Sequence, residues 1–137
     1  MELLKSETCV VGFVEDRLEL RYNRTIKTED FREGLLAALK FAKDYKIKLW
    51  LFDLRNVGRL SDENETWLQV QLFPQIMMHL GTGNHIALLV NEHSYNDMLN
   101  ESGLLGLKSY NSFIIINTFC DMQSAIDWLN HRQSECA

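Results

Sequence analysis

The sequence predicts an α/β domain built on a mixed sheet of about five strands, with an antiparallel hairpin first and parallel strands after it, flanked by about four helices. Three short runs, at residues 49–52, 86–90 and 113–116, are apolar on both faces instead of alternating with polar residues. Parallel strands that are covered on both sides have this pattern. Helical segments separate the three runs, as they do in connections between parallel strands.

The first element is predicted to be a hairpin. The stretch TCVVGFVEDRLELRYN, residues 8–23, contains two β-prone runs joined at Glu15 and Asp16. Its second run alternates Leu18, Leu20 and Tyr22 with charged residues, which is typical of an antiparallel strand with one solvated face.

The helices are placed by apolar spacing and by their capping residues. Thr28 can cap the first helix, whose apolar positions recur at helical spacing from Phe31 onward. Ser61, Ser94 and Asp121 are the predicted N-caps of the second, third and last helices. The predicted order is therefore β-β-α-β-α-β-α-β-α, within one domain of residues 1–137 whose core spans about residues 7–130.

Composition excludes several classes of protein. The chain has 137 residues and a net charge of -5, without a basic stripe, so we expect no nucleic-acid partner. Its apolar runs are too short to span a bilayer, and the acidic start MELLKSE does not resemble a signal peptide. Three cysteines without close pairing fit a reducing compartment, with Cys9 and Cys120 expected in the core. These features predict a cytoplasmic protein.

The order of elements also carries a resemblance to a known family. The helix TEDFREGLLAALKFA, the strand ending LWLFDLRN, the segment ETWLQVQLFPQIM and the closing FCDMQSAIDWLN follow one another as in small bacterial proteins with the STAS-like fold. That fold is shared with anti-sigma-factor antagonists, and lipid-binding CRAL-TRIO domains are grouped near it. The resemblance covers roughly residues 7 to 130 and implies a regulatory or protein-interaction role.

Ser61 occupies the position where this resemblance would place a switch. Anti-sigma-factor antagonists carry an Asp-Ser-Ser-Gly motif at the start of the helix after this strand, and a partner kinase phosphorylates one serine. The corresponding stretch here is LSDEN, in which Ser61 is the only hydroxyl, acids replace the small residues and the glycine is missing. The residue pattern predicts a helix cap, with a phosphorylated switch as the alternative.

Polar residues follow the predicted parallel strands, where α/β sheets bind their ligands. Asp53 and Arg55 come after one strand, and Asn91 and His93 come after another. Asp53 is expected to pair with Arg55 in a structural role, and a role in ligand binding is the alternative.

No pattern of catalytic or metal-binding residues stands out. The four histidines lack the i,i+3 or i,i+4 spacing of metal ligands, and no Cys-x-x-Cys is present. The glycines of GTGN precede a strand, whereas a phosphate-binding loop must lead into a helix. We therefore expect no metal, no cofactor and no enzymatic activity.

The segment from about residue 62 to 80 has more apolar residues than one helix face needs. At 100° per residue they surround the axis, unless Pro74 shifts the phase of the second half. We predict that the segment, with Trp67, Phe73, Met77 and Met78, forms a homodimer contact or one wall of an apolar ligand groove. The sequence thus predicts a non-enzymatic regulatory or protein-interaction module, or alternatively a carrier or sensor of a small apolar, lipid-like ligand.

Overall fold

A mixed sheet of seven strands runs through the part of the chain that the computed structural model describes, which comprises residues 1–23, 27–57, 60–102, 108–110 and 113–136. The strands are β1 (Glu2–Lys5), β2 (Cys9–Val14), β3 (Arg17–Tyr22), β4 (Leu49–Asp53), β5 (Asn84–Leu89), β6 (Lys108–Tyr110) and β7 (Ile114–Phe119). Their order across the sheet is β1-β2-β3-β4-β5-β7-β6.

The pairing confirms the predicted fold class. Strands β2 and β3 form the antiparallel hairpin, and β3, β4, β5 and β7 pair in parallel. The short edge strands β1 and β6 are antiparallel additions that bring the sheet from the expected five strands to seven.

Four helical segments accompany the sheet in the described part of the chain, as expected. They are α1 (Thr28–Tyr45), a continuous segment over residues 62–80, α4 (Glu92–Ser102) and α5 (Met122–Cys136). The segment over residues 62–80, hereafter the central helix, consists of α2 (Asp62–Trp67), a π-helical turn (Leu68–Leu72) and α3 (Phe73–Leu80).

Two of the four predicted caps are confirmed. Ser61 Oγ accepts a hydrogen bond from the Asn64 N–H at 3.2 Å, and Asp121 Oδ1 accepts one from the Ser124 N–H at 2.9 Å. The prediction for Thr28 is wrong, because the helix already includes it and the cap position belongs to Lys27, whose side chain makes no capping bond.

The prediction that Ser94 caps α4 is also wrong. Asn91 Oδ1 accepts the Ser94 N–H at 2.7 Å, so the capping side chain belongs to the residue that precedes the helix. Ser94 itself is buried.

Side chains from both faces of the sheet form the core. The larger cluster lies under α1 and the central helix and contains the buried side chains Leu18, Leu20, Tyr22, Trp50, Phe52 and Ile86. On the opposite face, α5 packs over Leu49, Leu51, Ala87 and Leu89. Cys9 is buried as predicted, whereas Cys120 is exposed, which corrects its expected place in the core.

The π-helical turn keeps the central helix in contact with the core. The Phe73 N–H donates to the Leu68 carbonyl five residues back, and a turn of this width also accommodates Pro74, which has no N–H and whose ring crowds the carbonyl four residues earlier. The wider turn holds every fourth residue on one side, so Leu68, Leu72, Ile76 and Leu80 are all buried.

Candidate functional site

Asp53 lies at the carboxyl end of β4, in a cluster with two arginines. Its side chain is buried and accepts hydrogen bonds from Arg55 Nε at 3.0 Å and Nη2 at 2.9 Å, and from the Arg55 backbone N–H at 3.2 Å. Arg21 Nε lies 3.8 Å from Asp53 Oδ2, because the parallel register of β3 and β4 places these two residues side by side. The hydrogen bond to Asp53 raises the pKa of Arg55.

The geometry of this cluster favours the structural role predicted for Asp53. A two-point pairing of guanidinium with carboxylate engages both carboxylate oxygens in charge-assisted hydrogen bonds. The Asn91 side-chain amide also donates to the Arg55 carbonyl oxygen at 3.3 Å, which connects the ends of β4 and β5. Asp53, Arg55 and Asn91 therefore lie together, as their positions after neighbouring strands predicted.

His93 does not belong to this cluster. Its side chain is 87% exposed and lies 3.2 Å from Asp97, four residues further along α4. The structure therefore offers His93 a partner on its own helix, apart from the contacts of Asp53.

A second candidate site is an open groove of about 400 Å³ between α1 and the start of the central helix, hereafter the front groove. It is lined by Arg32, Asp62, Glu63, Thr66, Trp67, Val70 and Gln71. Ser61 caps the helix that forms one wall, so the candidates Ser61 and Trp67 are both close to this groove.

Aromatic and ionic contacts hold the front groove in shape. The ring of Trp67 meets Phe31 edge to face, with ring centroids 6.1 Å apart. The Arg32 guanidinium lies over the Trp67 ring, 5.6 Å from the ring centroid. Its Nη2 also contacts Glu63 Oε1 at 3.3 Å. Such contacts between α1 and the central helix fix the groove before any partner binds.

The apolar residues of the central helix do not surround its axis, because the phase shift that the sequence analysis allowed at Pro74 is present as the π-helical turn. The π-helical turn directs most of them to the core, and Trp67, Phe73 and Met77 are half-buried against the same cluster. Val70 and Met78 remain exposed, at 61% and 72%. For the predicted contact, Met78 therefore offers an exposed side chain and Met77 offers only part of its surface.

The stretch of the central helix that contains Val70 and Met78 has no Asp, Glu, Lys or Arg, whereas the front groove beside Val70 includes the charged residues Arg32, Asp62 and Glu63. Between Glu65 and Glu92 the chain contains no Asp, Glu, Lys or Arg, and the exposed positions of the central helix in this interval include Thr66, Gln69 and Gln71. Depletion of charged residues together with exposed methionine is typical of the central part of protein–protein interfaces.

A smaller cavity of about 150 Å³ lies on the opposite face of the sheet. Its lining includes Val10, Gly12, Arg21, Asp53 and Met122. The α5 helix packs over β4 and β5, so β2 and β3 leave this part of the sheet open beside it. A space of this size is below the range of typical small-molecule sites.

Within the described residues, no group of three or more His, Cys, Asp or Glu side chains is arranged to hold a metal ion. None of the described helices combines the length and the apolar composition that crossing a bilayer requires.

Comparison with known proteins yields no match to a family model, a curated protein or a solved structure. The STAS-like resemblance therefore stays a prediction that rests on the chain's own residues and on the order of its elements.

Sequence reasoning missed two residues that complete these sites. Arg21 was assigned only to the solvated side of the hairpin, although pairing β3 with β4 in parallel would have placed it beside Asp53. Arg32 gave no signal, because its contacts with Trp67 and Glu63 depend on how two helices pack.

Proposed function

We propose that this protein is a non-enzymatic, cytoplasmic regulatory or protein-interaction module of the STAS-like kind. Its contact surface is the outer face of α1 and the central helix, including the front groove. The observation that carries this proposal is the exposure of Val70 and Met78 on a stretch of the central helix that has no Asp, Glu, Lys or Arg.

Energetics support a covered rather than a free surface. An exposed Val or Met side chain forgoes roughly 1.5 to 3 kcal/mol of the stabilisation that full burial supplies. The chain could place polar residues at these positions without disturbing the core, since neither side chain is buried. A partner that covers both would recover part of this free energy upon binding.

The cluster around Asp53 supports a module without catalysis. A carboxylate that acts as a general base must lie within hydrogen-bond reach of a proton on a substrate. Both oxygens of Asp53 instead accept hydrogen bonds from Arg55, with Arg21 close by. The cluster stabilises the ends of β3 and β4, which support the helices of the contact surface.

Site-specific photo-crosslinking tests the contact surface. A photo-reactive residue at position 70 should give adducts of discrete mass in cells that produce the protein. The matched control places the same residue at Val14, which is also an exposed valine but lies on β2. Equal adduct patterns from positions 70 and 14, or none from either, would remove the proposed contact surface.

The second candidate function is a carrier or sensor of a small apolar ligand. The front groove favours it in one respect, because its volume of about 400 Å³ falls within the range of small-molecule sites. Against it, Tyr22, Trp50 and Phe52 fill the space between helices and sheet. Native mass spectrometry of the purified protein distinguishes the two, since a carrier retains a bound mass of a few hundred daltons.

A further inference from the structure

The exposed face of α1 carries a row of five residues with opposite charges at its two ends. Glu29, Glu33, Leu36, Lys40 and Lys43 follow one another at spacings of four and three residues, which places them along one line of the helix. All five are exposed. We call this row the α1 seam.

The helix dipole explains only the ends of this seam. Acidic residues stabilise the first turn of a helix and basic residues the last, but the effect falls off beyond those turns. Glu29 and Lys43 lie in these terminal turns, whereas Glu33 and Lys40 lie inside the helix. The segregation of charge therefore extends further than the dipole requires.

Within one copy of the chain the seam brings like charges together. Glu29 and Glu33 are four residues apart, and Lys40 and Lys43 are three apart, which are the spacings of neighbouring side chains on a helix. Among the described residues, no salt bridge includes any of these four side chains. Each half of the seam thus presents to the solvent two like charges that no ion pair within the described residues neutralises, although the exposed Asp44 lies four residues after Lys40.

We propose that a second copy of this chain covers the seam, with the two α1 helices antiparallel about a two-fold axis at Leu36. This register places Glu33 opposite Lys40 of the second copy and Glu29 opposite Lys43, and the symmetry repeats both pairs. The sequence Glu-Glu-Leu-Lys-Lys along the seam is complementary to itself only in this antiparallel direction. This inference rests on the proposed function, and it names the partner.

The central helix extends the same interface. It runs parallel to α1, because both helices connect parallel strands on one face of the sheet and Arg32 meets Trp67 and Glu63 near their starts. Leu36 lies one turn beyond Arg32, and Val70 lies three residues beyond Trp67, so both lie near the middle of the two-helix face. The two-fold axis then opposes each central helix to its copy, with apolar residues at the centre and charged pairs around them, as interfaces are commonly organised.

The size of this surface indicates a dimer of moderate affinity. The 18-residue α1 is roughly 27 Å long. Two helices of about 10 Å width present roughly 500 Å² in projection, against the roughly 800 Å² per partner of a standard stable interface. We therefore expect a dissociation constant in the micromolar range. It should rise with salt concentration, because salt screens the charged pairs.

Charge reversal of each half of the seam tests the register. The basic-seam variant is Glu29→Lys with Glu33→Lys, and the acidic-seam variant is Lys40→Glu with Lys43→Glu. Each should lose self-association by roughly tenfold to a thousandfold, because every pair becomes repulsive and the symmetry doubles the effect. An equimolar mixture should regain wild-type affinity as a heterodimer, since one seam is then wholly basic and the other wholly acidic.

Sedimentation equilibrium at low salt measures the self-association of the wild type, the two charge-reversed variants, their equimolar mixture and a control variant. The matched control is Gln123→Lys with Asp127→Lys and Asn130→Lys, which changes the net charge as much as the basic-seam variant does but at exposed positions of α5. It should dimerise like the wild type. Circular dichroism checks that each variant is folded, and the single changes Glu33→Lys and Lys40→Glu repeat the test if a double variant unfolds.

Three results would overturn the proposal: a wild type that stays monomeric at several hundred micromolar, charge-reversed variants that dimerise as well as the wild type, or a mixture that does not associate. These results are separate from a failure of the proposed function. A monomeric wild type whose position 70 still forms a discrete crosslink to another protein retains the interaction module and loses only the second copy as its partner.

Discussion

Replacing Asp53 by Asn removes one charge and changes one atom of the cluster at the end of β4. The amide keeps one oxygen, which can still accept from the Arg55 backbone N–H and from Nε. The other oxygen becomes an NH₂ group. That group faces Arg55 Nη2 and Arg21 Nε, which are donors themselves.

The magnitude follows from these contacts. Hydrogen bonds to charged groups contribute roughly 1.5 to 3 kcal/mol, and leaving a buried donor without an acceptor costs about 1 to 3 kcal/mol. Since one of the two oxygens remains, we expect Asp53→Asn to lower the free energy of unfolding by about 1 to 3 kcal/mol. For a domain of this size the melting temperature should fall by about 3 °C or more.

Urea denaturation of Asp53→Asn, Arg55→Ala and the double variant measures the pairing directly. If Asp53 serves mainly to bind Arg55, the double variant should be less destabilised than the sum of the single variants, because residues in contact are not additive. Additive effects would refute the pairing. An Asp53→Asn protein as stable as the wild type but unable to bind its partner would refute the structural role altogether.

The remaining predictions concern three other positions. Ser61→Ala should lower the free energy of unfolding by roughly 0.5 to 2 kcal/mol in urea denaturation and Ser61→Asp should be nearly neutral, as expected of an N-cap; an Asp variant that changes association without changing the melting temperature would favour the switch. Burial raises the pKa of the Cys9 thiol to about 12, so iodoacetamide at pH 8 should label exposed Cys120 in the native protein and Cys9 only after unfolding. Peptide mapping that finds equal labelling of the two cysteines in the native protein would refute this prediction. Hydrogen bonds from Ser124 lower the pKa of Asp121, so the stability that the charged cap adds is present near neutral pH and is lost as pH falls through the folded-state pKa. The difference in unfolding free energy between wild type and Asp121→Asn should therefore vanish in acid. A difference that stays constant with pH would exclude the charge as its cause.

Much of the fold could be predicted because its signals are local. A run such as Leu49 to Phe52 is apolar on both faces only if both faces are covered, and the structure buries all of it. The edge strands escaped prediction for the opposite reason. β1 and β6 contain four and three residues, too few for a period to be visible, and pairing with a longer neighbour decides their conformation.

The caps show a similar division. Ser61 and Asp121 each stand directly before the helix they cap, and each accepts the expected N–H. Ser94 is as good a capping residue by type as either of them, but α4 begins at Glu92. The residue directly before the helix is therefore Asn91, and its Oδ1 accepts the Ser94 N–H. Capping preferences identify candidates, whereas the exact start of the helix selects among them.

The candidate sites were predictable only as far as strand ends reveal them. Asp53, Arg55 and Asn91 follow neighbouring strands, and parallel strands bring their carboxyl ends to one edge of the sheet. The front groove has no such rule. It depends on the approach of α1 to the central helix, which Arg32 and Trp67 make through contacts between residues far apart in the sequence.

The central helix connects the limits of sequence reasoning to the proposed function. A regular period of 100° places its apolar residues all around the axis, and the π-helical turn before Pro74 removes most of that conflict by turning the later residues back to the core. The same adjustment makes the remaining exposure informative. A helix that can shift its phase to bury Leu72 and Ile76 still leaves Val70 and Met78 in solvent, so their exposure cannot be attributed to a wrong helical period. The exposed apolar residues that remain after this correction are the ones that the proposed partner would cover.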